Sequence, residues 1–310
     1  MPRDWYADAA GLTDMTGFFQ ALASQLAAKW VSLLLLPGAL FTATAWIAAH
    51  LGHAHALDVG RLDDTVSVNY RSLSHGSTGA QILTVIVFLL AATGVGLVVQ
   101  ALAGPTRALW LGRWPGWAAA RLVRHRRNRW NSLVQRRRSA AGITDAVARQ
   151  AAVDAAAARI NRMALAEPGR PTWMGDRIHA VEQVSFDRYG LDLTFCWSRL
   201  WLVLPDSVRT EITVANSAFA GAVAVGAWTV PYLGLACVWW PAAVVAVFVG
   251  VTGWARGRSA VADLGALAEA AVDLHGRSLA QALGVGGTDA TMPLDTTEGK
   301  AVTDIVRKGR

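Results

Sequence analysis

Three histidines lie close together at His50-x-x-His53-x-His55, with Asp58 just beyond and His75 further along the same segment. Imidazole nitrogens and a carboxylate are groups that zinc or copper accepts. Imidazoles also titrate near neutral pH, so sensing of external pH is a second chemistry open to them. The spacing matches no established metal signature, and solvated loop histidines are ordinary. No metal is therefore assigned, and His50, His53 and His55 stand only as candidate ligands.

Residues 104–138 carry ten arginines and no acid. Arg113, Arg121, Arg124, Arg126, Arg127, Arg129, Arg136, Arg137 and Arg138 alternate with Trp110, Trp114 and Trp117. Guanidinium groups beside an acidic leaflet contribute about 1 kcal/mol each, and indoles favour the headgroup zone. This stretch is therefore expected to contact anionic lipid headgroups. Its simplest alternative is a positive anchor that only fixes topology. Nucleic acid, which also suits basic patches with aromatics, is the least favoured partner. No phosphate-binding Gly-rich loop, no H-E-x-x-H and no G-x-S-x-G occurs, so no catalytic residue and no cofactor are expected.

The surrounding chain is unusually apolar: 53% hydrophobic, 16% charged, with a mean hydropathy of +0.32. Its net charge of +7 traces to the arginine segment. From Ile212 to Ala255 no residue is charged; as one helix that run would reach roughly 66 Å, twice a bilayer's apolar thickness. It is expected to fold back near residues 231–235, at Pro231 and Gly234, as a hairpin. Residues 30–51, with Pro37 as a kink, and 80–103 read as two further spans joined by an outer loop, 52–79. The first apolar run begins only at Trp30 after an acidic leader, which argues against a cleavable signal peptide.

These readings predict an all-α membrane protein with four transmembrane helices in two hairpins. Residues 1–29 form an amphipathic leader, 30–103 the first hairpin, 104–211 a helical cytoplasmic insert, 212–255 the second hairpin, and 256–310 a cytoplasmic helix and mobile tail with a short helix from about Lys300. Arginines beside the second span place the insert and both termini in the cytoplasm of a cell (inner) membrane. Cys196 and Cys237 then fall at opposite faces, each as a small buried hydrophobe. Small residues recur at intervals of four, at Ala92 and Gly96, Ser217 and Gly221, Ala222 and Gly226, and Ala242, Ala246 and Gly250. Such stripes predict tight helix packing within the chain or between copies, hence a homo-oligomer.

Thr172-Trp173-Met174-Gly175-Asp176, Arg188-Tyr189-Gly190-Leu191-Asp192 and Trp197-x-Arg199-Leu200 form a further pattern, with Ala270-Ala271-Val272-Asp273-Leu274-His275 after the last span. They resemble uncharacterised bacterial, largely actinobacterial, multi-pass membrane proteins with a "T-x-x-G-N … RYGLD … W-x-RL … LP" segment. The resemblance covers roughly the C-terminal half and implies a shared cytoplasmic segment, with no activity attached. Asp176 stands where that pattern has Asn, a departure that weakens the inference of a fixed side-chain role there. Gly190 is expected to stop a helix, Asp192 to cap the next, and Tyr189 and Trp197 to pack at the membrane surface. The function expected is non-enzymatic: a self-associating channel, pore or membrane scaffold. A sensor or adaptor that recruits a cytoplasmic protein is the first alternative, and a membrane-embedded enzyme the second.

Overall fold

The computed structural model describes residues 35–286 and 293–307; among them the structure is all-helical, with no strand. The amphipathic leader 1–29, Trp30 and the tail at 287–292 lie outside the described residues. The helices are α1 (Leu36–Leu51), α2 (Val59–Ser74), α3 (Thr78–Trp110), α4 (Gly116–Ala140), α5 (Ala146–Met163), α6 (Trp173–Tyr189), α7 (Leu193–Val203), α8 (Asp206–Ala227), α9 (Thr229–Ala236), α10 (Pro241–Ala282) and α11 (Thr296–Val306). They divide into two compact units, Met1–Ala103 with Ala227–Gly250, and Gly104–Gly226 with Val251–Arg310.

Among the described residues, two helical stretches are long and apolar enough to cross a membrane: Thr78–Trp110 and Asp206–Ala236. Leu36–Leu51 is apolar but shorter. The expected turn at 231–235 is helical instead, and the break falls at 237–240. Pro231 is tolerated because it lies in the first turn of α9, where no intrahelical N–H is required, and Pro241 starts α10. That shift leaves only Pro241 to Ala255 as the uncharged part of α10, about 22 Å of helix. Pro37 lies in the first turn of the described α1 rather than at a mid-helix kink, and α3 runs on through Pro105. The expected outer loop contains α2, which has a polar composition interrupted by Val59, Leu62, Val66 and Val68.

In the first unit, α1 meets α3 at Gly38, where a Cβ would strike the carbonyl of Ala92. Phe41 packs edge-on to Tyr232 at 5.1 Å and beside Trp228 at 6.0 Å. Two long-range bonds pin the 237–240 break: Trp239 Nε1 donates to Ala56 O at 3.0 Å, and His53 Nδ1 lies 2.5 Å from Val238 O.

The core of the second unit joins α6, α7, α10 and α11 through Leu191, Cys196, Leu200, Val272, Leu279 and Val302. Gly190 ends α6 in the left-handed conformation (φ 70), and the Asp192 carboxylate accepts from Thr194 N to start α7, as the sequence predicts. Tyr189 and Trp197 do not sit at a free surface. Tyr189 is buried and donates to Asp273 Oδ1 at 2.7 Å, and Trp197 packs on the core. Burial, then the bond to Asp273, pushes the Tyr189 phenol up. The two stretches of the resemblance thus pack as one core.

The short helix expected from Lys300 begins earlier, at Thr296, and is a core element rather than an appendage. An Asp295–Glu298 capping box starts it, Arg277 pairs with Glu298, and Thr303 Oγ1 donates to Gly190 O at 2.9 Å. Gly299 lies directly on the Tyr189 carbonyl, leaving no room for a Cβ, whereas Gly221 faces open space. Gly299→Ala is expected to cost about 1–3 kcal/mol. Gly221→Ala should be neutral or slightly stabilising to the fold of a single copy, read by thermal unfolding of the monomer in detergent.

Candidate functional site

The arginine segment folds as α4 after a turn at Gly112 (φ 73) and Pro115. It pairs with α5, whose first turn is capped by Asp145 through Val147 N and Ala148 N. No residue of α4 is buried. Arg121, Arg124, Arg129, Arg136, Arg137 and Arg138 are exposed, as is Arg113 before the helix. They are spread around the helix, so they do not form a single basic stripe.

Arg126 and Arg127 turn inward. Arg127 pairs with Glu167 at 2.8 Å, both half exposed. Arg126 is the deeper: its Nε and a terminal nitrogen donate to Asp176 Oδ2 at 2.9 and 2.5 Å. Asp176, on the first turn of α6, is 4% exposed. Its other oxygen accepts from Gly169 N at 2.9 Å and Arg170 N at 2.6 Å. Every side of this carboxylate is used, so position 176 has a fixed role here despite its departure from the pattern's Asn. Thr172 caps α6 through Gly175 N and also donates to Trp110 O at 2.6 Å. Gly175 sits against the Leu111 carbonyl, so α6 begins in direct backbone contact with the end of α3.

The tryptophans expected at headgroups divide likewise. Trp117 is 80% exposed. Trp114 is half-buried, with its Nε1 donating to Leu109 O at 2.8 Å. Trp110 is structural: Cβ atoms at Gly226 and Gly257 would lie 2.5 and 2.7 Å from its ring, so both glycines make room for it.

Of the small-residue stripes, Ala92, Gly96, Ala222, Gly226, Ala242 and Ala246 are buried. Gly250 faces Thr229, and Gly253 meets Gly226 backbone to backbone. Ser217 and Gly221 face outward. Gly38, Gly253 and Gly257 escaped the sequence reading because each pairs with a residue far away in the chain.

His50 Nδ1 lies 2.9 Å from Trp46 O, and His53 is held by Val238 O. The three candidate ligands are not brought together, and no group of three or more possible ligands occurs among the described residues. Cys196 is buried, as expected, and burial pushes its thiol up. Cys237 is exposed, against expectation, because the break at 237–240 carries it out of the helix. Comparison with protein-family models, curated proteins and solved structures returns no match.

Asp176→Asn keeps one acceptor for the 169–170 backbone but strips the charge from Arg126. It is expected to cost about 3 kcal/mol, the lower end for a broken buried pair because Arg126 retains solvent contact. Asp176→Ala should cost more. Adding Arg126→Gln to Asp176→Asn should recover part of the loss, read as a coupling energy from denaturant unfolding.

Proposed function

We propose that this chain is a multi-pass inner-membrane scaffold, non-enzymatic and self-associating, whose basic helical insert meets anionic lipid headgroups from the cytoplasmic side. The carrying observation is α3. Its most apolar window has a mean hydropathy of 2.7 with only 17% of it buried, and Ile82, Leu83, Val85, Val87, Leu90 and Val98 are largely exposed. Water is a poor solvent for so much apolar surface, whereas lipid tails or another copy suit it. In this reading α1 with α3, and α8–α9 with α10, form two membrane hairpins, and both termini lie with the arginines.

A scaffold is favoured over a channel by the hydroxyls. Thr42, Thr44, Thr84 and Thr213 donate to carbonyls four residues back, and Ser217 to one three back. Each is satisfied by its own helix, as expected for groups that line no wet path. Outward-facing Ser217 and Gly221 offer the small-residue contact for a second copy. The adaptor reading keeps one supporting feature, an open apolar cavity of about 370 Å³ lined by Val181, Leu193, Trp197, Ile212, Leu264 and Ala268.

The protein should stay in the pellet after alkaline carbonate extraction of membranes, and crosslinking there should trap a defined oligomer. Release into the supernatant would sink the membrane reading, and a clean monomer the scaffold. In sealed right-side-out vesicles an impermeant maleimide should label Cys237, with Cys196 reacting only after denaturation. Labelling of Cys237 solely in opened vesicles would invert the topology.

A further inference from the structure

The second unit contains an open cleft of about 650 Å³ between α4, α5 and α10. Arg126 and Arg129 line it from α4, Arg159 and Arg162 from α5, and Arg258 from α10. Arg126 is neutralised by Asp176. None of the other four forms an ion pair among the described residues. Four guanidinium groups from three helices therefore converge without a counter-charge, a field that attracts an anion.

One of the four is held in place. The Arg258 guanidinium carbon lies 4.2 Å from the ring centre of Trp173 and 5.4 Å from that of Trp254, and both indoles line the cleft. Stacking occupies the guanidinium faces and leaves its edge N–H donors for planar, paired bonding, which suits phosphate oxygens. The pairs Arg126 and Arg129, and Arg159 and Arg162, are each one turn apart, so each pair shares a helix face. Of these four, only Arg129 belongs to the arginine segment; Arg159, Arg162 and Arg258 come from sequence whose overall charge is balanced.

Position suggests the source of the phosphate. Trp254 is 45% exposed in the last turn of the uncharged run, with exposed Val251 one turn before it and Arg256 and Arg258 just after. An indole there marks the boundary between apolar and aqueous surroundings. We propose that the cleft binds the phosphate of an anionic phospholipid headgroup, with Arg129, Arg159, Arg162 and Arg258 as its donors. This deepens the membrane reading above and rests on it for the lipid source.

The test uses the full-length protein in detergent, titrated by native mass spectrometry with phosphatidic acid, phosphatidylcholine and inorganic pyrophosphate. Phosphatidic acid should bind in preference to phosphatidylcholine. Arg159→Gln with Arg162→Gln should weaken it about tenfold or more. Arg61→Gln with Arg71→Gln removes the same charge outside the basic insert and should weaken it by less than about threefold. Arg258→Lys, which keeps the charge and loses the stacking, should also weaken it. Unchanged helical circular dichroism excludes misfolding as the cause. Equal loss in both double variants, or no preference for phosphatidic acid, overturns the site. Pyrophosphate binding as tight as phosphatidic acid overturns the lipid source in favour of a soluble phosphate compound. A failed titration leaves carbonate extraction unaffected, so the two readings fail separately.

Discussion

The second unit depends on one buried carboxylate. Asp176 is removed from water at a cost of several kcal/mol, which only complete pairing offsets. Arg126 supplies the opposite charge, and the backbone of Gly169 and Arg170 supplies two more donors. The carboxylate is carried by α6, and its partners come from α4 and from the loop after α5. One side chain therefore sets where three segments meet. Because Arg126 is fixed, Arg129 is fixed one turn beyond it, and the opposing α5 carries Arg159 and Arg162 to the same place. The cleft is a consequence of the carboxylate's requirement for four donors.

Elsewhere close backbone approach does the corresponding work. Glycines at 38, 175, 226, 253 and 299 each lie against another backbone or a large ring. In an apolar setting the hydrophobic effect does not drive helices together, and dispersion at short range is what remains. The Gly226–Gly253 contact and the Gly38–Ala92 contact serve that purpose. Trp110 fills the space that Gly226 and Gly257 leave, so an indole that reads as an interfacial anchor is instead a wedge between helices.

What could be read from the chain alone follows the range of each interaction. Gly190 and Asp192 act on groups two to four residues away, and caps of that kind are visible locally. The long apolar runs were equally plain, since hydropathy needs no partner. The break at 237–240 was not, because Trp239 and His53 hold it through carbonyl contacts nearly two hundred residues apart, while Pro231 offered a nearer and misleading signal. Helix α11 was placed late although Asp295 and Glu298 announce a capping box; its Gly and Thr content masked the core role of Val302 and Val306.

Charge was the hardest property to read. Arg126 and Arg129 are the same residue type in the same segment, one turn apart, and a count of arginines treats them alike. A single acid fifty residues downstream neutralises one, and the other forms no ion pair among the described residues. Conversely, Arg159, Arg162 and Arg258 lie in stretches where acids balance bases along the sequence, yet among the described residues none of them forms an ion pair. The charge available to a partner is what remains after the fold has satisfied its own carboxylates. That remainder is set by three-dimensional pairing, which is why the basic segment supplies only Arg129 of the four arginines proposed to bind the phosphate.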